Sequence, residues 1–202
     1  MESEAPRIRL DPWSEGDLGL LRAMNAPELM SHLGGPETEE QLLTRHRRYV
    51  DLSADRTGRG RMFRIVLLPA DGTPGETAGE AVEEAAEEAV GTIGFWEQTW
   101  QGRRIYETGW GVLAAHQGRG IAAAAAAAVV EKARAEGAYR SLHAFPSVDN
   151  RSSNALCRRA GFSLLGPCEV EFPKGRLMRA NDWRLDLTPG KTLARPPRPM
   201  AS

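Results

Sequence analysis

A strand, a glycine-rich turn and an alanine-rich helix follow one another directly near the middle of the chain. The run from Tyr106 to Leu113 is rich in β-branched and aromatic residues, which favours a strand. Seven successive alanines begin at Ala122 and lead into a Val-Val-Glu-Lys-Ala-Arg segment, a composition of very high helix propensity. Gly118 and Gly120 lie between the two elements, where glycine permits a positive φ and a close approach to the first free helix amides. A turn of this kind predicts an anion site at the start of the helix.

The glycines also fit a dinucleotide-binding fingerprint. Gly118, Gly120 and Ala123 match G-x-G-x-x-A, a motif that requires an acidic residue about 20 positions further on to hold a ribose. The next predicted strand, residues 139–145, ends without a carboxylate, and Asp149 follows only after a proline. A dinucleotide-linked oxidoreductase therefore stays open as an alternative, as does a turn that merely joins a strand to a helix.

Two sequence blocks at the turn resemble the GNAT superfamily of acetyl-CoA-dependent N-acetyltransferases. The segment from Gln117 to Ala122 resembles its acetyl-CoA signature, (Q/R)xxGx(G/A). Ten residues before Gln117, the run from Glu107 to Trp110 resembles the ExG(Y/W) strand of the branch that includes the ribosomal-protein N-terminal acetyltransferases. These two blocks have the spacing expected of that branch.

A third block supports the same resemblance. The segment from Asn150 to Phe162 is similar, without gaps, to the branch's NxxS segment that ends in Ala-Gly-Phe. The resemblance runs from about residue 7 to residue 187 and is strongest over residues 91–162. It implies a single mixed α/β domain, of the α+β type, over residues 1–187, with a mostly antiparallel, splayed central sheet flanked by helices.

The resemblance also implies a binding site for acetyl-CoA as the acetyl donor, with no metal. The residues expected to hold the diphosphate are Gln117, Gly118, Arg119, Gly120, Ile121 and Ala122. The main chain of Trp110, Gly111 and Val112 is expected to pair with the pantetheine arm along the splayed strand. Asn150 is expected to bond the pantetheine amide, although it is also a good helix N-cap.

Glu107 and Ser153 are the expected catalytic residues. An amine is mostly protonated at neutral pH, so a base must remove a proton before the nitrogen can attack, and Glu107 lies on the strand that leads to the thioester. Its alternation with Gly109 and Gly111 predicts open space over the reacting centre. The alternatives are a structural glutamate or one that orients the acceptor through water.

Many relatives carry a tyrosine as general acid where this chain has Cys157, which removes the usual proton donor. Ser153 is the expected substitute, and departure of the CoA thiolate without an acid stays open. His143, inside the predicted strand 139–145, is interpreted as a core histidine. Trp96 and Trp100 are interpreted as packing residues, with stacking on an acceptor as the alternative.

Composition agrees with one globular domain and excludes some partners. The 202 residues are 41% hydrophobic and 26% charged, with a formal net charge of −1, so there is no basic field for a nucleic acid. No apolar stretch approaches the roughly 20 residues that span a bilayer, and the first residues lack a leader pattern. The expectation is a cytoplasmic protein without a membrane partner. Two cysteines are too few for a disulfide framework and are interpreted as reduced core residues.

The remaining segments predict the flanks of the domain. Helices are expected over residues 18–24 and from a capping box at Thr38 through about residue 52, and strands over residues 62–68 and 90–96. Residues 69–89 are expected to be a flexible acidic insertion with a short helix over 80–88. A hairpin over residues 171–187 is expected to close the sheet, followed by a disordered proline-rich tail over 188–202.

The acceptor cannot be identified from these residues. A small-molecule amine and a protein N-terminus both satisfy the chemistry, and homodimerisation through a sheet edge or the terminal hairpin is a further expectation. A catalytically silent CoA-binding regulatory module is the alternative function from a different class.

Overall fold

One seven-stranded sheet forms the centre of the molecule. A computed structural model of the protein describes residues 6–69, 87–172 and 175–188. The strands within those ranges are β1 (Ile8–Pro12), β2 (Gly60–Leu67), β3 (Glu88–Trp100), β4 (Arg103–Val112), β5 (Ser141–Ala144), β6 (Ser163–Glu171) and β7 (Leu177–Asp186). Their order across the sheet is β1-β2-β3-β4-β5-β7-β6, and every neighbouring pair is antiparallel except β4 and β5. The expected mixed α/β fold with a mostly antiparallel sheet is confirmed.

Five α-helices flank the sheet in the described ranges. They are α1 (Leu18–Met24), α2 (Pro27–Met30), α3 (Glu39–Ala54), α4 (Ile121–Glu136) and α5 (Arg151–Arg159). The predicted capping box opens α3, where the Gln41 amide donates to Thr38 Oγ1 at 3.3 Å and the Thr38 amide donates to Gln41 Oε1 at 2.8 Å. No helix of the described ranges is long and apolar enough to cross a membrane.

The alanine-rich helix packs on one face of the sheet. Ala125, Val129 and Ala133 of α4 are at most 1% exposed and belong to the main core with residues of β2, β3 and β4. Methyl side chains let the helix axis come close to the strands, so the alanine run serves packing over most of its length. A smaller cluster on the opposite side joins Leu21 of α1 and Leu42 of α3.

The sheet opens between β4 and β5. The two strands are paired only at Tyr106 with Leu142 and at Glu107 with His143, whereas β4 continues to Val112 in register with β3 alone. The last residues of β4 therefore have one unpaired edge. This opening is the splay that the family resemblance implied.

Two predicted boundaries are wrong. The insertion expected over residues 69–89 ends earlier, because Glu88 and Ala89 already belong to β3, opposite Leu67 and Val66 of β2. Residues 70–86, which include most of the helix expected over 80–88, lie outside the described residues, and Glu88 is in a strand. β3 also runs beyond residue 96 to Trp100, since Gln101 and Gly102 supply the positive φ angles of a tight hairpin turn.

The closing hairpin is longer than predicted. β6 starts at Ser163 and pairs with β7, whereas the sequence suggested a hairpin beginning near Glu171. Gly166 and Pro167 lie at a register shift of this outer strand, where a bulge tolerates both residues. Of the tail expected over 188–202, only Thr188 lies within the described residues.

Candidate active site

The glycine turn presents a row of backbone amides at the start of α4 that have no partner in the described part of the chain. Gly118 and Gly120 have φ angles of 75° and 79°, the left-handed conformation that the sequence predicted for this turn. Among the described residues, no carbonyl or side chain accepts a hydrogen bond from the backbone amides of residues 118–122. Gly120 is the N-cap of α4 and provides no side chain to cap it. The turn and the helix N-terminus therefore aim several N–H dipoles at one exposed place, which suits a phosphate.

Two side chains of the turn have defined positions. Gln117 Nε2 donates to the Val112 carbonyl at 3.0 Å, which ties the turn to the end of β4. Arg119 lies with Nη1 3.3 Å from His116 Nδ1, and His116 Nε2 is 3.3 Å from Glu88 Oε1. An arginine thus stands beside the exposed amides, where its charge favours an anion.

The free edge of β4 lies between the turn and the point where the sheet opens. The Leu113 amide donates to the Val90 carbonyl of β3 at 2.9 Å. Because backbone groups of successive strand residues point to alternate sides, those of Trp110 and Val112 face the opening and those of Gly111 face β3. The bond from Gln117 to the Val112 carbonyl agrees with this direction. Main-chain pairing with a ligand is therefore expected from Trp110 and Val112.

The side chain of Trp110 is a packing group. The indole lies on the α4 face of β4 and packs against the main core. Glu107 is on the opposite face, because residues separated by an odd number along a strand point to opposite sides. The Trp110 and Glu107 side chains therefore lie on opposite faces of the sheet.

Glu107 stands at the opening of the sheet in a desolvated environment. Its Oε2 accepts a hydrogen bond from Gln98 Nε2 at 3.1 Å, and the Trp96 side chain donates a second. Burial raises the pKa of the Glu107 carboxyl above its usual range, and the two hydrogen bonds and the charge of Arg48 oppose this effect only in part. A carboxylate with a raised pKa is a stronger proton acceptor than an exposed one.

The space expected above Gly109 and Gly111 is filled. A Cβ atom on Gly109 would lie 3.0 Å from Cη2 of Trp96, and one on Gly111 would clash with the Cε methyl of Met24. The two glycines are therefore needed because Trp96 and Met24 pack directly against the β4 backbone. The prediction of open space was wrong because it considered β4 alone and not the side chains of its neighbours.

The first turn of α5 is held by asparagines. Asn150 Oδ1 accepts hydrogen bonds from the Ser153 amide at 3.0 Å and from Ser152 Oγ at 2.9 Å, so Asn150 is the N-cap that the sequence suggested. Asn154, which the sequence did not single out, accepts from Asn181 and Trp183 of β7 at 2.8 Å each. This pair of bonds fixes the start of α5 against the sheet.

Ser153 and Cys157 occupy different environments on α5. Ser153 is half-buried in the first turn, whereas Cys157 is fully buried in the main core. Burial raises the pKa of the Cys157 thiol to about 12, so this residue is a neutral packing group. Both cysteines are free, as predicted, but Cys168 of β6 is only half-buried.

A buried pair, His143 and Asp182, lies beside Glu107, and the sequence singled out only His143. His143 is buried, as predicted, and its Nδ1 lies 2.7 Å from Oδ1 of Asp182, which is also buried. Trp100 Nε1 donates to the other oxygen of Asp182 at 2.8 Å. The sequence gave no signal for Asp182, because the strand pairing that brings β7 beside β5 is a long-range contact.

Two clefts border this region. The larger, about 590 Å³, lies between α3 and the end of β3, and its walls include Arg48, Asp51 and Trp96. The smaller, about 190 Å³, lies between the segment before α5 and the β6–β7 hairpin, where Asp149 and Arg176 face it. Trp96 and Arg48 both line the larger cleft and both act on the Glu107 carboxyl.

A splayed antiparallel sheet, an unpaired strand edge and an exposed row of helix-start amides together define an acyl-CoA-dependent transferase domain. A family model described as an acetyltransferase (GNAT) domain matches residues 7–163. The chain belongs to the GNAT acetyltransferases, as the sequence motifs indicated. This membership favours acyl transfer over the dinucleotide alternative.

Solved structures share the fold. An acetyltransferase from Agrobacterium tumefaciens has a TM-score of 0.65 at 24% identity, with 92% of each chain covered. An acetyl transferase from Salmonella typhimurium that modifies the N-terminal serine of ribosomal protein L7/L12 has a TM-score of 0.64 at 19% identity, covering 89% of this chain and 94% of that one. Spermidine N-acetyltransferase from Vibrio cholerae, solved with CoA and spermine, has a TM-score of 0.63 at 17% identity, covering 89% of this chain and 95% of that one. No curated protein sequence matches the chain.

Proposed function

We propose that this GNAT acetyltransferase transfers the acetyl group of acetyl-CoA to a primary amine by direct attack within a ternary complex. The observation that carries the proposal is that three features lie in order along the opening between β4 and β5. These features are the amides of residues 118–122 and the edge of β4, both without a partner among the described residues, and the desolvated Glu107. This order matches the diphosphate, the pantetheine arm and the reacting thioester of a single extended ligand.

The turn and β4 are the proposed CoA site. The amides of residues 118–122 and the side chain of Arg119 suit the diphosphate, and Gln117 holds the turn to β4. The amide and carbonyl groups of Trp110 and Val112 have the direction needed to extend β4 with the pantetheine arm. Asn150 can donate to that arm through Nδ2, because its Oδ1 is used in capping α5.

Glu107 is the proposed base. A proton on the acceptor ammonium must leave before its nitrogen can attack, and a carboxylate whose pKa is raised by burial is suited to receive it. Its hydrogen bonds from Gln98 and Trp96 hold the carboxylate in one orientation. An amide at this position could bind an acceptor but could not take the proton.

Ser153 is the proposed proton donor to the departing thiolate. It lies in the first turn of α5, where the helix dipole also favours a negative charge. Cys157 cannot serve instead, because its thiol is fully buried in the core. A thiol is acidic enough for the thiolate to depart with modest help, so the contribution of Ser153 is expected to be smaller than that of Glu107.

The acceptor is a small-molecule amine or a protein N-terminus. Similar folds that act on spermidine and on a ribosomal-protein N-terminus support both classes. Homodimerisation stays a prediction.

An amine panel assayed for free thiol in the presence of acetyl-CoA tests the function. Polyamines, aminoglycosides and short peptides with free N-termini are compared, and at least one class is expected to release thiol. Glu107→Gln should lower kcat by about 10²-fold or more while leaving acetyl-CoA affinity nearly unchanged. Glu97→Gln is the matched control, because Glu97 is also a partly buried strand glutamate but bonds Tyr139 and Arg104 instead.

Two outcomes decide against parts of the proposal. Tight acetyl-CoA binding without turnover of any amine would identify a silent CoA-binding module. Equal activity of Glu107→Gln and wild-type protein would show that another group removes the proton.

A further inference from the structure

A buried histidine–aspartate pair lies beside Glu107 where β4 and β5 separate. His143 of β5 is the Cα partner of Glu107 in the two-residue parallel contact. Paired residues of neighbouring strands point to the same face of a sheet, and the strands are about 4.8 Å apart. The imidazole and the Glu107 carboxylate therefore leave the sheet side by side, at the last rung before the opening.

Asp182 fixes the imidazole. Its Oδ1 lies 2.7 Å from His143 Nδ1, and the two side chains are 7% and 6% exposed. Its Oδ2 accepts from Trp100 Nε1 at 2.8 Å, so both carboxylate oxygens are engaged. Phe145 completes the enclosure, with its ring stacked 5.9 Å from that of His143 and 4.7 Å from that of Trp100.

This arrangement leaves one ring nitrogen for chemistry. A neutral imidazole that donates Nδ1–H to a carboxylate carries its lone pair on Nε2. No group within the described residues forms a hydrogen bond with His143 Nε2. A base whose second nitrogen is oriented by a buried carboxylate is the arrangement by which enzymes activate and align a proton acceptor.

We propose that His143, oriented by Asp182, is a second proton acceptor in the amine acetylation proposed above, on which this inference rests. The acceptor enters as an ammonium and loses one proton to Glu107 before attack. Its nitrogen then forms the bond to the acetyl carbon, the carbon–sulfur bond breaks, and the sulfur leaves with the electron pair. The second proton of the nitrogen passes to His143 Nε2. One of the two protons ends on the CoA thiol and the other is released to water.

In this scheme His143 is a catalytic residue, and Asp182 and Trp100 are positioning residues. The scheme gives each of the two amine protons its own acceptor. It also explains why three strands contribute polar side chains to one buried place, since β3 supplies Trp100, β5 supplies His143 and β7 supplies Asp182.

Titratable and charged groups from three neighbouring strands surround the His143–Asp182 pair. Glu107 faces it from β4, and Arg184 is the Cα partner of His143 on β7. On the β6 side, burial and then the charge of Asp182 raise the pKa of the Cys168 thiol to about 11, so that thiol is neutral at neutral pH. In the scheme Glu107 and His143 Nε2 each accept one proton, so both must lack that proton when the acceptor binds, and protonation of either group should lower kcat on the acidic side of the pH profile.

His143→Asn tests the proposal, because asparagine can still donate to Asp182 from near the position of Nδ1 but has no Nε2. We expect kcat to fall by about 10²-fold, with the KM for acetyl-CoA nearly unchanged and one ionisation missing from the pH profile. Asp182→Asn should also remove or shift that ionisation, which a residue needed only for folding would not do. His46→Asn is the matched control, since His46 is equally buried and accepts a hydrogen bond from Trp13 away from the opening.

A nitrogen-15 NMR measurement of the His143 tautomer gives a readout besides activity. The wild-type protein should hold the proton on Nδ1, and Asp182→Asn should change that tautomer. A proton found on Nε2 in the wild-type protein overturns the inference. Active wild-type enzyme with an unchanged rate and pH profile in His143→Asn overturns it while leaving the proposed function intact. Wild-type protein that turns over no amine rejects the proposed function, and the catalytic role of His143 with it.

Discussion

At the scale of single residues, the raised pKa of Glu107 links catalysis to stability. The folded protein holds a proton on this carboxyl more tightly than the unfolded chain does, because burial disfavours the charged form. The stability that this group contributes is therefore fully present below its ordinary pKa and is lost as pH rises through the higher pKa of the folded state. Activity has the opposite dependence, since the base must be ionised.

Glu107→Gln should become more stable relative to wild-type protein as pH rises from about 4.5, and the difference should level off once the wild-type carboxyl is fully ionised. Urea unfolding of both proteins between pH 4 and 8 measures the difference in the free energy of unfolding. Glu169→Gln is the control, because Glu169 is exposed on β6. A difference that is constant with pH, or that falls, would show that Glu107 is not desolvated in solution.

Residue identity predicted some roles and missed others for a physical reason. Glu107, Gln117 and Asn150 were proposed because each lies in a local motif, and of these the N-cap role of Asn150 is seen in the structure. Asp182 and Asn154 were missed because their importance comes from contacts with residues about 30 to 80 positions away. No local pattern carries that information.

At the scale of elements, local propensity predicted the turn and its helix well. α4 includes the alanine run and the segment that follows it, as predicted, because alanine is the strongest helix former, and Gly137, with a φ of 69°, ends the helix. The ends of β3 and β6 were predicted less well, because their extra residues are held by hairpin partners. Strand length depends on pairing as well as on propensity, so a single sequence defines it poorly.

Gly120→Ala should weaken both the fold and CoA binding. A φ of 79° costs an alanine about 1–2 kcal/mol, and its methyl group would lie 3.4 Å from Pro6 Cδ. We expect a lower free energy of unfolding and a weaker affinity for acetyl-CoA, measured by denaturation and by calorimetry. Relief of this strain would displace the amides of residues 118–122.

Gly19→Ala is the matched control with the opposite expected sign. Gly19 lies in α1 with open space around its Cα, so alanine should stabilise the helix by up to about 0.5–1 kcal/mol and leave acetyl-CoA affinity unchanged. An equal loss of stability in both variants would indicate that the left-handed conformation of Gly120 is not required.

At the scale of the whole molecule, ligand binding should stabilise the fold through both sides of the opening. A CoA molecule held by the turn and by the free edge of β4 would connect α4 to the sheet next to the gap left by β5. A ligand that binds only the folded state at 100 times its Kd adds about 2.7 kcal/mol to the free energy of unfolding. For a chain of this length that corresponds to a rise in Tm of about 5–10 °C.

Thermal unfolding with acetyl-CoA, CoA and NADH measures this effect directly. Acetyl-CoA and CoA should raise the Tm by similar amounts, because the turn and β4 would bind the parts that the two ligands share. NADH should leave the Tm unchanged, since it has a diphosphate but no pantetheine arm to pair with Trp110 and Val112. A shift with NADH equal to that with CoA would mean that the turn binds diphosphates without help from β4, and the continuous opening would lose its proposed role.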